Sequence, residues 1–189
     1  MKEHPILFSG PMVRAILDGT KTQTRRVLKP QPTNYIIQSP DDGLFYDAKC
    51  INAGKLVKCP FGAIGDRLWV RETWQYDPCG EWDTCYKATG HSEGCKMPLH
   101  LWRPSIHMPR WASRITLEIT DVRLQWLRDI SEVDAQAEGV TILYGDSSPG
   151  HEYREGFLEL WNAINAKRGF TWDSNPWVWA LTFKRLTND

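Results

Sequence analysis

Stretches of regular hydrophobic period alternate with irregular ones along this chain. Ile115, Leu117 and Ile119 alternate with Thr116, Glu118 and Thr120, the period of two that marks a strand with one face in the core. Trp177, Trp179, Leu181 and Phe183 repeat the alternation near the C-terminal end and predict a strand over 177–186 with these four on one face. Arg67 to Trp74, aromatic and β-branched, follows a Gly65-Asp66 turn and predicts another strand, and apolar Pro5 to Phe8 predicts one more. Helical spacing recurs three times. Met12, Ile16 and Leu17 share a face after Ser9 and Pro11, and Gly19 suits the C-terminal cap. Ser131-Glu132-Val133-Asp134 has capping-box spacing and opens a short helix that ends before Gly139. Phe157, Leu160, Trp161 and Ile164 predict a longer helix from about His151 to Ala166.

From Lys29 to Gly65 the chain is rich in Pro, Gly, Asp and Asn and has no sustained period, so a long connection with at most short strands is expected. Residues 77–110 are also irregular. Separated strands with three short helices predict an α+β fold around a small barrel. The length of 189 residues fits one domain.

Composition narrows the function classes. Apolar residues make up 41% and charged residues 24%, the balance of a soluble globular protein. The 23 basic residues match the 23 acidic ones, which excludes a strongly basic nucleic-acid coat and an acidic tail. A local basic face remains open: Lys2, Arg14, Lys21, Arg25, Arg26 and Lys29 crowd residues 1–30, and Arg103, Arg110, Arg114, Arg123 and Arg128 crowd 101–128. No apolar run is long enough to span a bilayer. Met1-Lys2-Glu3-His4-Pro5 lacks the apolar run of a secretory signal, so a cytoplasmic location is expected. Cys50, Cys59, Cys79, Cys85 and Cys95 are odd in number, which argues against a disulfide framework. Cys79, Cys85 and Cys95 lie near His91 and His100, yet no pair has the short spacing of a zinc knuckle. Reduced thiols in a loop are the alternative, and no metal site is assigned. Ten tryptophans are unusual at this length; core packing and stacking on a nucleobase are both open to them.

The chemistry concentrates in Gly19-Thr20-Lys21-Thr22-Gln23-Thr24-Arg25-Arg26. Lys21, Thr24 and Arg26 bring an amine, a hydroxyl and a guanidinium close together in the chain. An amine acts as a base when desolvation or nearby cations lower its pKa, and a hydroxyl beside it becomes a nucleophile. The same string also describes an exposed basic loop.

This run resembles the glycine-x-lysine-x-x-threonine-x-arginine signature of the ASCH domain family, whose fold is a PUA-like β-barrel. Gly65-Asp66-Arg67-Leu68-Trp69-Val70-Arg71-Glu72 is similar to the glycine-aspartate strand of that family. The segment from Arg103 to Arg114 resembles the long form common in phages and prophages. Ile130 to Gly139 resembles the helix that follows. The resemblance implies a single ASCH domain over 1–189 with insertions at about 31–64 and 77–110. It also implies a reaction, that of the small bacterial N4-acetylcytidine amidohydrolases, which remove an acetyl group from the exocyclic amine of cytidine. Their catalytic lysine and threonine match Lys21 and Thr24, and their glutamate matches Glu138. On that reading Thr24 is the nucleophile, Lys21 the base, Glu138 the carboxylate that orients Lys21 and shuttles a proton, and Arg26 a holder of the substrate oxygen or oxyanion. No cofactor is implied.

The scaffold does not fix the reaction. A non-catalytic RNA-binding module and a metal-dependent ribonuclease are the alternatives, and Glu138 has a structural reading as a solvated helix end. The expected partner is a modified nucleoside or single-stranded RNA; protein partners are not specified. Trp69, Arg71 and Glu72 are candidates to line the pocket. His107 is either a structural histidine or an acid/base of a ribonuclease, and Arg110 and Arg114 are candidates for phosphate contact.

Overall fold

In the computed structural model, the structure describes residues 1–33, 35–39, 43–48, 54–76, 84–90, 102–140 and 152–186. The apolar start forms β1 (Glu3–Leu7), which leads through Ser9 into α1 (Gly10–Leu17). Pro11 occupies the first turn of α1, where a missing N–H costs nothing. Gly19 closes the helix at φ 76°, its amide donating to the Ile16 carbonyl, a backbone setting that disfavours any residue with a Cβ. The buried residues of α1 are Val13 and Ile16, not the expected trio of Met12, Ile16 and Leu17. At 3.6 residues per turn, Met12 and Leu17 lie about 70° to either side of the Val13–Ile16 midline, so they flank the inward stripe.

β2 (Gln23–Val27) corrects a larger expectation. The basic run is not an exposed loop: Lys21, Gln23, Thr24 and Arg25 are all buried. The rest of the strands are β3 (Tyr35–Gln38), β4 (Phe45–Ala48), β5 (Gly54–Val57), β6 (Arg67–Arg71), β7 (Trp74–Tyr76), β8 (Thr84–Tyr86), β9 (Thr116–Trp126) and β10 (Trp177–Leu186). Two helices complete the regular structure, α2 (Glu132–Ala137) and α3 (Glu152–Asn165). The fold is α+β. Among the described residues the strands make a five-stranded sheet in the order β1-β6-β9-β10-β2, a three-stranded sheet β3-β4-β5 and a two-stranded sheet β7-β8. None of them closes into a barrel, because β1 and β2 remain edges of the largest sheet.

The chain divides into two compact units, and β9 and β10 each contribute to both. The first holds residues 1–22, 61–120 and 182–189. In it β1 runs parallel to β6, with Glu3 opposite Arg67 and Leu7 opposite Arg71. β6 pairs antiparallel with the first half of β9, Leu68 opposite Leu117. The predicted alternation appears as buried Ile115, Leu117 and Ile119. A second cluster of this unit packs Trp74, Met108 and Ala112 with Tyr86.

The second unit holds residues 23–60 and 121–181. The irregular Pro/Gly-rich segment supplies the short antiparallel strands β3, β4 and β5. Phe45 meets Trp179 edge-on with ring centres 5.5 Å apart. The other core joins α2, α3 and β10 through Leu127, Ile130, Ala135, Phe157, Trp161, Trp172 and Val178. Within α3 the inward stripe is Phe157, Trp161 and Asn165, while Ile164 faces out. Asn165 tolerates burial because its amide donates to the Trp161 carbonyl at 3.3 Å. Val178 through Leu181 are all buried, so this part of β10 is covered on both faces rather than one. The His151 helix start lies outside the described residues, as do Cys50, Cys79, Cys95, His91 and His100.

Candidate functional site

The sequence places Asp134 and Glu138 four residues apart, one turn on α2, and this spacing sets both carboxylates on one helix face. Ser131 starts that helix as a working cap, its hydroxyl accepting from the Asp134 amide at 3.1 Å. Glu138 ends it, and Gly139 follows in the left-handed region at φ 74°. Into this face β2 directs Arg25. Its Nη2 donates to Asp134 Oδ2 at 2.9 Å, and its Nη1 donates to Glu138 Oε1 at 3.1 Å and to Gln23 Oε1 at 3.3 Å. The guanidinium also lies 5.8 Å from the centre of the Phe157 ring.

Asp134 is held from three directions. Gln23 Nε2 donates to Oδ1 at 2.8 Å, and Arg123 Nη2 reaches both oxygens at 3.3 and 3.4 Å. Burial pushes the Asp134 carboxyl up, but the hydrogen bonds from Gln23 and Arg123 and the charge of Arg25 outweigh it and hold the group below the ordinary range. Arg26, half-buried on the same strand, has the opposite balance. Desolvation lowers its pKa, the Glu138 carboxylate opposes that, and the charge of Arg168 adds to it. Arg26 and Glu138 therefore act on each other electrostatically.

The other candidates divide by unit. Thr24 and Glu138 belong to the second unit and Lys21 to the first. Lys21 is anchored by its backbone, its amide donating to Ala15 at 3.0 Å, and its Nζ lies 5.7 Å from the centre of the Phe8 ring. Glu72, also in the first unit, is buried and receives both arms of Arg114, Nε at 2.9 Å and Nη2 at 3.1 Å. Arg114 in turn lies 4.0 Å over the Tyr86 ring. Arg71 stacks 5.4 Å from the Trp69 ring and donates to the Ile106 carbonyl. Arg110 forks onto Glu3 at 2.8 and 3.0 Å on an exposed face. His107 is exposed in a 3-10 turn over Ser105–His107. Arg110 and Arg114, candidates for phosphate, are thus each paired with a carboxylate.

Three residues at the centre of the second-unit cluster, Gln23, Arg25 and Asp134, escaped sequence reasoning. The available signal was the four-residue spacing of Asp134 and Glu138 on a well-capped helix, which announces a paired acidic face in search of a cation.

No family model matches the chain, and no curated protein matches it. Solved structures do. The structure is similar to an ASCH domain from Lactobacillus crispatus, at 14% identity over 97% of this chain and 79% of that one, with a TM-score of 0.45. It is also similar to a protein from Enterococcus faecalis described under DUF984, at 10% identity over 98% of this chain and 81% of that one, again at 0.45.

Proposed function

We propose that this chain is an ASCH-type domain that acts on a nucleoside or RNA, and that it hydrolyses the acyl amide of N4-acetylcytidine-type substrates. The observation that carries the reading is the burial of the motif groups. Lys21, Thr24 and Glu138 are 2%, 3% and 4% exposed, although an amine, a hydroxyl and a carboxylate would ordinarily stay in water.

The roles follow from the chemistry. The reaction needs a nucleophile, the role given to the Thr24 hydroxyl, which adds to the acetyl carbonyl carbon, and a base for the proton it gives up, the role given to the Lys21 amine. Arg26 faces the oxyanion that develops. Collapse breaks the carbon–nitrogen bond, and the cytidine amine leaves with the proton. Water then cleaves the threonine ester to acetate, and the role given to Glu138 is that of a proton carrier in the two steps. Purified protein incubated with N4-acetylcytidine should release cytidine and acetate, and Glu138→Gln should slow this by about a hundredfold. A full rate in Glu138→Gln would remove that residue from the mechanism.

One observation favours a second reading, a non-catalytic RNA-binding module. Trp111 is 64% exposed, its ring edge-on to Trp74 at 5.6 Å, and Arg103 lies 5.4 Å over the Trp74 ring. The buried Trp74 ring lies next to both groups, and an exposed indole such as Trp111 can stack on an unpaired base. That module binds RNA with strong salt dependence and turns nothing over.

A further inference from the structure

The Lys-x-x-Thr-x-Arg pattern gives no role to the residue between Thr24 and Arg26, yet that residue is buried and hydrogen-bonds Gln23, Asp134 and Glu138 at once. We infer that Arg25 is a positioning residue that fixes the Glu138 carboxylate in a single orientation. The inference rests on the reading of Glu138 as part of the reacting set.

Three observations support it. The side chain of Arg25 has no exposed surface, and its two terminal nitrogens bind two different carboxylates, Asp134 at 2.9 Å and Glu138 at 3.1 Å. A planar guanidinium braced on one carboxylate cannot swing, so its other nitrogen presents a fixed donor to Oε1 of Glu138. The brace is itself held, since Gln23 and Arg123 bind Asp134 and Gln23 also accepts from Arg25. Finally, Glu138 sits at the C-terminal cap of α2, where the unpaired carbonyls repel a carboxylate. A cation is needed there to hold the side chain inward, and Arg25 is in direct contact with it.

Removing the charge would leave two carboxylates facing each other and threatens folding, so the test uses Arg25→Lys. Lysine keeps the charge but has one compact head, which reaches one carboxylate and loses the brace. We expect Arg25→Lys to lower kcat on N4-acetylcytidine by about tenfold or more with KM within about twofold. We also expect the side-chain carboxyl resonance of Glu138, labelled with carbon-13 and assigned by its loss in Glu138→Gln, to move, measured well below the melting temperature of the variant. An unmoved resonance overturns the inference whatever happens to the rate, and so does a rise in KM with kcat intact. If the wild type does not turn over the substrate, the hydrolase reading fails, and the resonance still decides whether Arg25 holds Glu138.

Discussion

Arg25 keeps a full positive charge out of water, and the carboxylates of Asp134 and Glu138 offset the cost. Asp134 gives this network a pH signature. Its carboxyl is held below the range it has in the unfolded chain, so the stabilisation is complete above pH ~4 and fades as pH falls through the folded value. The wild type should therefore melt above Asp134→Asn at pH 6, and the gap should narrow steadily below pH ~4; a gap that stays constant down to pH 2 would mean the carboxylate is not the source. The Glu3–Arg110 fork is chemically similar but exposed, so Arg110→Ala should change stability by at most about 1 kcal/mol in urea unfolding. Burial, not charge count, separates the two pairs. Sequence separation does not distinguish them, since the partners of Arg25 lie 109 and 113 residues away and that of Arg110 lies 107 away.

At the scale of elements, what was legible is what one residue type at a fixed period can encode. β9 announced itself through Ile115, Leu117 and Ile119, and truncating Leu117 to Ala should cost about 2–5 kcal/mol in chemical unfolding, as expected for a side chain with no exposed surface. α2 announced itself through its capping residues, and Ser131→Ala should cost about 1 kcal/mol by removing the bond to the Asp134 amide. β2 was illegible for a physical reason. Gln23 and Arg25 read as surface residues, and partners on a distant helix make their burial tolerable. β10 was half legible: its alternation marked a strand, but Val178 and Ala180 are small enough to be covered on the second face, which alternation alone does not reveal.

At the scale of the whole molecule, neutrality conceals local order. The basic N-terminal stretch is partly buried, and two of its members, Arg25 and Arg26, interact with an acid of the helix after β9. The α+β class followed from separated strands and short helices, whereas the closed barrel did not, since closure depends on how edge strands meet and no residue pattern records that. The tryptophans also resolve into roles. Trp74, Trp161, Trp172 and Trp179 are buried in the cores, and Trp111 stands exposed. Among the described residues no helix is long and apolar enough to cross a membrane.

The proposed hydrolysis of a cytidine amide rests on the buried Lys21 and Thr24. Chromatography of an incubation of the purified protein with N4-acetylcytidine tests it most directly. Equimolar cytidine and acetate are expected from the wild type, and no product from Lys21→Ala or Thr24→Ala proteins that retain the wild-type fold. Untouched substrate with the wild type, or a full rate in either variant, would contradict it.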